Sequence, residues 1–161
     1  METKKQVIIP LGIRNNNPLN LVYSKKNNWH GQLPGQKGRF CAFTDMLWGF
    51  RAAAMTLKSY ITKYNRKTIR EIINAWAPPC ENDTRNYAKF VADTSNVGID
   101  EPIVFTDMVR MLRIMSAMCV MENGKQWDPQ SDSTLWKALY QGYIMARENR
   151  DYITYQGNKI I

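Results

Sequence analysis

The sequence predicts a mainly helical protein of the α+β class, with about five helices around a central one and a small β-element near the N-terminus. Apolar residues recur at helical spacing over most of the chain after residue 44, while Gly and Pro interrupt residues 24–38. With 161 residues, 44% of them hydrophobic, the chain is long enough for one domain with a sizeable core. We expect a flexible arm over residues 1–11, one domain over 12–148 and an extension over 149–161.

Four helices other than the central one are predicted from spacing and N-cap signals. Apolar residues over 46–64 follow a helical period, with Thr44 as the expected N-cap. Thr68 and Glu71 form a capping box for a short helix that ends before the prolines at 78–79. The segments 82–84 and 131–133 each contain Asp and Ser, Thr or Asn, and they predict the starts of two further helices, the last one running to about residue 148.

The central helix is predicted over residues 106–127, with Thr106 as its N-cap and Gly124 as the residue that stops it. Its apolar face is formed by residues at three- and four-residue steps, namely Met108, Met111, Leu112, Met115, Met118 and Cys119. Glu122 follows Met118 by four residues, so its side chain is expected on that apolar face.

Glu122 is the candidate catalytic residue. Partial burial and the negative end of the helix dipole are both expected to raise its pKa, by about 1–2 units. A carboxylic acid that stays protonated near neutral pH is what general-acid cleavage of a glycosidic bond requires. The alternative is a last-turn residue whose carboxylate reaches solvent.

The β-element is expected from residues 19–23 and 39–43, which can pair as short strands around a loop punctuated by Gly and Pro. Within that loop, Trp29 is either a platform on which a sugar stacks or a side chain that packs against the core.

An asparagine-rich loop precedes this element. Asn15, Asn16, Asn17 and Asn20 fall within six positions around Pro18, a composition that favours turns. Because amides both donate and accept hydrogen bonds, these four side chains suit sugar hydroxyls and N-acetyl groups. The alternative is a turn whose amides satisfy only their own backbone.

Three further residues are candidates near this site. Glu81 and Asp83 could supply a second carboxylate, although both precede a helix N-terminus, which lowers a carboxylate's pKa and favours capping. Tyr87, one turn into that helix, could bind substrate or belong to the core.

Composition excludes several classes of function. With three cysteines, no CxxC spacing and one histidine, the chain offers almost no material for a metal site or for Cys-His catalysis, and no cofactor is expected. No signal peptide and no membrane-spanning run is seen, so delivery to the cell wall or to a virion would use another route. Residues 1–70 hold 13 Lys and Arg against 2 Asp and Glu, a net charge of +11 that attracts polyanions.

The strings RNNNPLNL, RFCAF and WAPPCENDTRNY resemble segments of lysozyme-like peptidoglycan hydrolases, including lytic transglycosylases and modules of phage virion proteins. In those families the catalytic glutamate ends a helix and the asparagine-rich β-region follows it. Here the similar helix end, MSAMCVMENG, comes after that region. The chain therefore resembles a circularly permuted lysozyme-like domain over roughly residues 12–148.

This resemblance implies cleavage of peptidoglycan glycan strands by a muramidase or lytic transglycosylase, with Glu122 as the acid and the asparagines and Trp29 as substrate contacts. Two other classes stay open. One is a phage structural or assembly protein that keeps the fold without catalysis. The other, less favoured because no nucleic-acid motif is found, is a basic nucleic-acid-binding domain.

Overall fold

The computed structural model describes residues 8–80, 82–152, 154–155 and 158–159. Within these ranges the protein is mainly helical. Its helices are α1 (Leu11–Arg14), α2 (Met46–Thr62), α3 (Ile69–Trp76), α4 (Thr84–Ser95), α5 (Met108–Asn123) and α6 (Ser133–Arg147), with a short 3₁₀ helix at Lys125–Trp127. Much of the predicted arm, residues 1–7, and part of the predicted extension lie outside the described residues. No helix in the described ranges is both long and apolar enough to cross a membrane.

The predicted caps are confirmed where short-range signals define them. Thr68 accepts a hydrogen bond from the backbone N–H of Glu71, which completes the capping box of α3. Asp83 and Asp132 cap α4 and α6 in the same way. Two caps differ from prediction by one residue. The N-cap of α5 is Asp107 rather than Thr106, and that of α2 is Asp45 rather than Thr44.

Helix α5 is the most buried helix, as its apolar face predicts. Nine of its sixteen residues are buried, compared with eight of seventeen in α2. It packs against α4 and α6, and its C-terminal end meets α1. The core around it also receives Phe50 and Leu57 from α2 and Leu139 and Tyr143 from α6.

Helices α2 and α6 form the most extensive helix pair in the described chain. Gly142 lies where they cross, and a Cβ there would stand 2.7 Å from the backbone nitrogen of Arg51. Two cationic side chains of α2 also donate hydrogen bonds to backbone carbonyls at and just after the C-terminal end of α6. Arg51 Nε donates to the carbonyl of Arg150 at 2.9 Å, and Lys58 Nζ donates to that of Ala146 at 3.0 Å.

The N-terminal β-element does not form the predicted strands. Residues 19–23 and 39–43 meet at an isolated antiparallel bridge between Val22 and Phe40, and a second bridge joins Gln32 to Phe43. The backbone N–H of Leu21 donates to the side chain of Asn17 at 2.8 Å, so a local amide takes the place of a strand partner. Among the described residues, strands occur only at Thr154–Tyr155 and Asn158–Lys159, an antiparallel pair.

Candidate functional site

The asparagine-rich loop holds two residues with left-handed backbone conformations. Asn16 and Asn20 have φ values of 51° and 52°, which asparagine tolerates better than most residues. The chain turns at these two positions, immediately after the single turn of α1. The loop is therefore a compact structure between α1 and residues 39–43.

Asn17 is a structural residue of this loop, which corrects the prediction that it binds substrate. Its side chain is 0% exposed. Its Nδ2 donates to the carbonyls of Leu21 and Cys41 at 3.0 and 2.9 Å, while its Oδ1 accepts from the N–H of Leu21 at 2.8 Å. Because both amide protons are used and no surface is exposed, a sugar has no access to this side chain.

Asn15 and Asn16 also bind residues 39–43. The carbonyl of Asn15 accepts a hydrogen bond from the N–H of Phe43 at 2.8 Å. The Nδ2 of Asn16 donates to the carbonyl of the same phenylalanine at 3.1 Å. The side-chain contact of Asn16 favours a structural role for that residue, whereas the backbone contact of Asn15 does not test the predicted role of its side chain.

Asn17→Ala is therefore expected to lower the free energy of unfolding by about 2–4 kcal/mol, because it leaves the N–H of Leu21 and the carbonyl of Cys41 without partners and removes one of two bonds to the carbonyl of Leu21. Urea denaturation would measure the change. Asn15→Ala is the matched control, and it should cost less than about 1 kcal/mol because its recorded loop contact is made by the backbone. If Asn17→Ala kept wild-type stability and lost affinity for glycan fragments, the structural assignment would be wrong.

The C-terminal end of α5 is fixed to this loop by Asn123. Its buried Nδ2 donates to the carbonyl of Pro18 at 2.7 Å and to that of Cys119 at 2.9 Å. Gly12 lies against the same end. A Cβ at Gly12 would stand 2.6 Å from the Oδ1 of Asn123 and 2.9 Å from that of Asn20, so a larger residue would push the loop away from α5.

Glu122, the neighbour of Asn123, therefore lies beside the asparagine-rich loop. Its side chain is largely buried, and burial raises its pKa from the ordinary value of 4.5 to about 7. A hydrogen bond with the side chain of Asn20 acts in the opposite direction and limits this rise. Glu122 is consequently a carboxyl group that is half protonated near neutral pH and has an amide against it.

Tyr87 lies close enough to Glu122 for the charge of that carboxylate to affect its pKa. The residue is buried, and its pKa is raised well above the ordinary value, first by burial and then by the charges of Glu122 and Cys119. Its hydroxyl is buried, and within the described chain it has no hydrogen-bond partner. The Oδ1 atoms of Asn20 and Asn123 are also buried and have no hydrogen-bond partner among the described residues. Polar atoms without partners thus cluster around the acid, which is unusual for a purely structural core.

Of three other predicted site residues, two have structural contacts of their own and one lies outside the described residues. Trp29 packs against a small buried cluster that includes Cys41 and Phe43, so the structure supports its alternative reading as a core side chain. Asp83 is exposed and caps α4 through the N–H of Asn86. Glu81 lies outside the described residues.

A cleft of about 290 Å³ borders this site. Asn20 forms part of its wall, and two aromatic side chains, Tyr60 and Trp76, lie across it with ring centroids 6.2 Å apart. The indole N–H of Trp76 donates to the carbonyl of Leu19 at 3.2 Å, which fixes the orientation of the ring. Sequence reasoning missed Trp76 and Asn123. The only local signals were an aromatic residue before Pro78 and the asparagine of the ENG string.

No known family model matches this chain. It is 36% identical over 135 residues to Protein P5 of Pseudoalteromonas phage PM2. The aligned region covers 82% of this chain and 81% of the phage protein. The similarity therefore extends over most of both chains.

Proposed function

The chain belongs to the family of Protein P5 of Pseudoalteromonas phage PM2, and on that premise we propose that it is a phage enzyme that cleaves the glycan strands of peptidoglycan. The observation that carries the proposal is Glu122. It combines a pKa of about 7, a largely buried side chain at the end of α5 and contact with an amide side chain. A protonated carboxyl group so placed suits general-acid catalysis at neutral pH.

In the proposed reaction Glu122 donates its proton to the glycosidic oxygen as the bond to the anomeric carbon breaks. A hydrolase that uses water needs a second carboxylate as base or nucleophile. Of the two carboxylates considered for that role, Asp83 is exposed and caps α4, and Glu81 lies outside the described residues. We therefore propose a lytic transglycosylase, which needs no second carboxylate, because the C6 hydroxyl of muramic acid attacks the anomeric carbon and returns its proton to Glu122.

The proposed fold is a circularly permuted lysozyme-like domain. Two features support it. The acid ends the most buried helix, and the asparagine-rich loop packs over that end through the contact of Asn123 with Pro18. In chain order the loop comes first and the acid-bearing helix follows, which is the permuted arrangement that the sequence resemblance implies.

The cleft beside Asn20 would hold the sugar next to the cleaved bond. Asn20 is the asparagine to which we assign this substrate contact, because its side chain is at Glu122 and lines the cleft. Aromatic rings such as Trp76 suit the apolar faces of sugars, and amides suit their N-acetyl groups.

The chemical outcome can be tested with purified protein and peptidoglycan in water labelled with oxygen-18. We expect 1,6-anhydromuramic acid ends that carry no label, measured by mass spectrometry of the released fragments. Labelled reducing ends would show a hydrolase instead and would contradict the transglycosylase assignment. If peptidoglycan remains intact after long incubation with the folded protein, this chain is a non-catalytic phage protein and the proposal fails.

A further inference from the structure

The loop over residues 22–39, called the basic loop below, combines positive charge with exposed apolar side chains. It contains Lys25, Lys26, Lys37 and Arg39, all exposed, and no Asp or Glu. The absence of acidic residues extends over 3–44, a stretch with seven Lys and Arg. Charge alone would only indicate a solvated surface, so the accompanying apolar residues decide the interpretation.

Three apolar side chains of the basic loop are exposed to solvent. Val22 is 46% exposed, Tyr23 is 38% exposed and Leu33 is 43% exposed. Tyr23 and Leu33 line one cleft of about 340 Å³ together with Lys25. Tyr23, Leu33 and Lys25 therefore lie on one surface of the loop. Val22 and Arg39 line the cleft beside Asn20 instead.

This surface is held in place by the rest of the loop. The N–H of Tyr23 donates to the carbonyl of Arg39 at 2.9 Å, and the N–H of Leu33 donates to that of Ala42 at 2.8 Å. Trp29 anchors the loop on the buried cluster beneath it. Since the loop is already ordered, binding a partner through it would cost little conformational entropy.

We propose that the basic loop, through the face around Tyr23, Lys25 and Leu33, is a docking surface for membranes that contain anionic phospholipids, next to the cleft proposed for the sugar. Lysines beside an anionic bilayer gain from its surface potential, and aliphatic and aromatic side chains gain by entering the boundary between headgroups and acyl chains. Lys25 and the exposed amides of Asn27 and Asn28, which line the cleft, offer donors to a headgroup phosphate. Nucleic acid would match the charge but would leave the aliphatic side chain of Leu33 without a partner.

The test is co-sedimentation of the full chain with vesicles of phosphatidylcholine alone or mixed equally with phosphatidylglycerol. We expect binding only to the anionic vesicles, weakened by salt. The double variant Lys25→Gln/Lys26→Gln should reduce partitioning by about fivefold for each lysine removed. Leu33→Ser should also reduce it by about fivefold, because an apolar side chain no longer enters the bilayer.

Matched controls lie elsewhere on the protein. Lys63→Gln/Lys137→Gln removes the same charge from exposed positions on other elements, and Val109→Ser removes an exposed apolar residue of α5. Both should bind within about twofold of wild type. Equal binding to neutral and anionic vesicles, or equal losses in the controls, would overturn the proposal. So would a surface that binds duplex DNA and no vesicles, with Leu33→Ser unaffected.

Discussion

Glu122→Gln is expected to reduce cleavage of peptidoglycan by about a thousandfold while the protein stays folded. The substitution preserves the size of the side chain and its ability to meet Asn20, but an amide cannot donate the proton that the leaving oxygen needs. The rate of release of soluble glycan fragments would measure the loss, with circular dichroism as the check on folding.

Glu148→Gln is the control for this experiment, because it makes the same chemical change at an exposed carboxylate beyond the end of α6. It should cleave at the wild-type rate. In wild-type protein the rate should fall as pH rises through 7, because the acid loses its proton there. A Glu122→Gln protein that is as active as wild type would remove the basis of the proposed function.

The second large effect expected is on the pH dependence of stability. The folded protein holds the proton of Glu122 more tightly than the unfolded chain does, since the pKa is about 7 in the one and 4.5 in the other. The stability contributed by this group is therefore complete below pH 4.5 and is lost as pH rises through 7. A shift of this size corresponds to about 3 kcal/mol.

Denaturant unfolding across this pH range, in wild type and in Glu122→Gln, isolates the effect. The variant carries no titrating group at this position. Its free energy of unfolding relative to that of wild type should therefore rise by about 3 kcal/mol from below pH 4.5 to above pH 7. Asn20→Gly provides a second comparison, because glycine accepts the left-handed backbone while removing the amide. This substitution should raise the pKa of Glu122, so the loss of stability should continue to higher pH. Parallel pH profiles for wild type and Glu122→Gln would show that Glu122 is not perturbed.

The helices and the position of the acid could be predicted because they depend on residues close together in the chain. The capping box of Thr68 and Glu71 spans three residues, and the face that carries Glu122 is defined by Met118 and Cys119 just before it. Burial of that face raises the pKa of Glu122 in the predicted direction.

The roles of the asparagines could not be predicted from the sequence. The density of amides in this loop is equally typical of a binding site and of a self-bonded turn. The choice depends on Cys41, which lies 24 residues from Asn17, and on Asn123, which lies 105 residues from Pro18. These two contacts form only when the helices pack together, so no local sequence pattern predicts them.

The pairing of α2 with α6 also governs when the protein can fold during its synthesis. The apolar face of α2 is complete at residue 62, but α6 ends only at residue 147. At about 5–20 residues per second, a ribosome needs roughly 4–17 s to make the intervening chain. During that interval Phe50 and Leu57 have no helix α6 to cover them, and the carbonyls that Arg51 and Lys58 bind have not been made. We therefore expect the nascent chain to expose this apolar face, which is the kind of surface that chaperones bind, until α6 has left the ribosome.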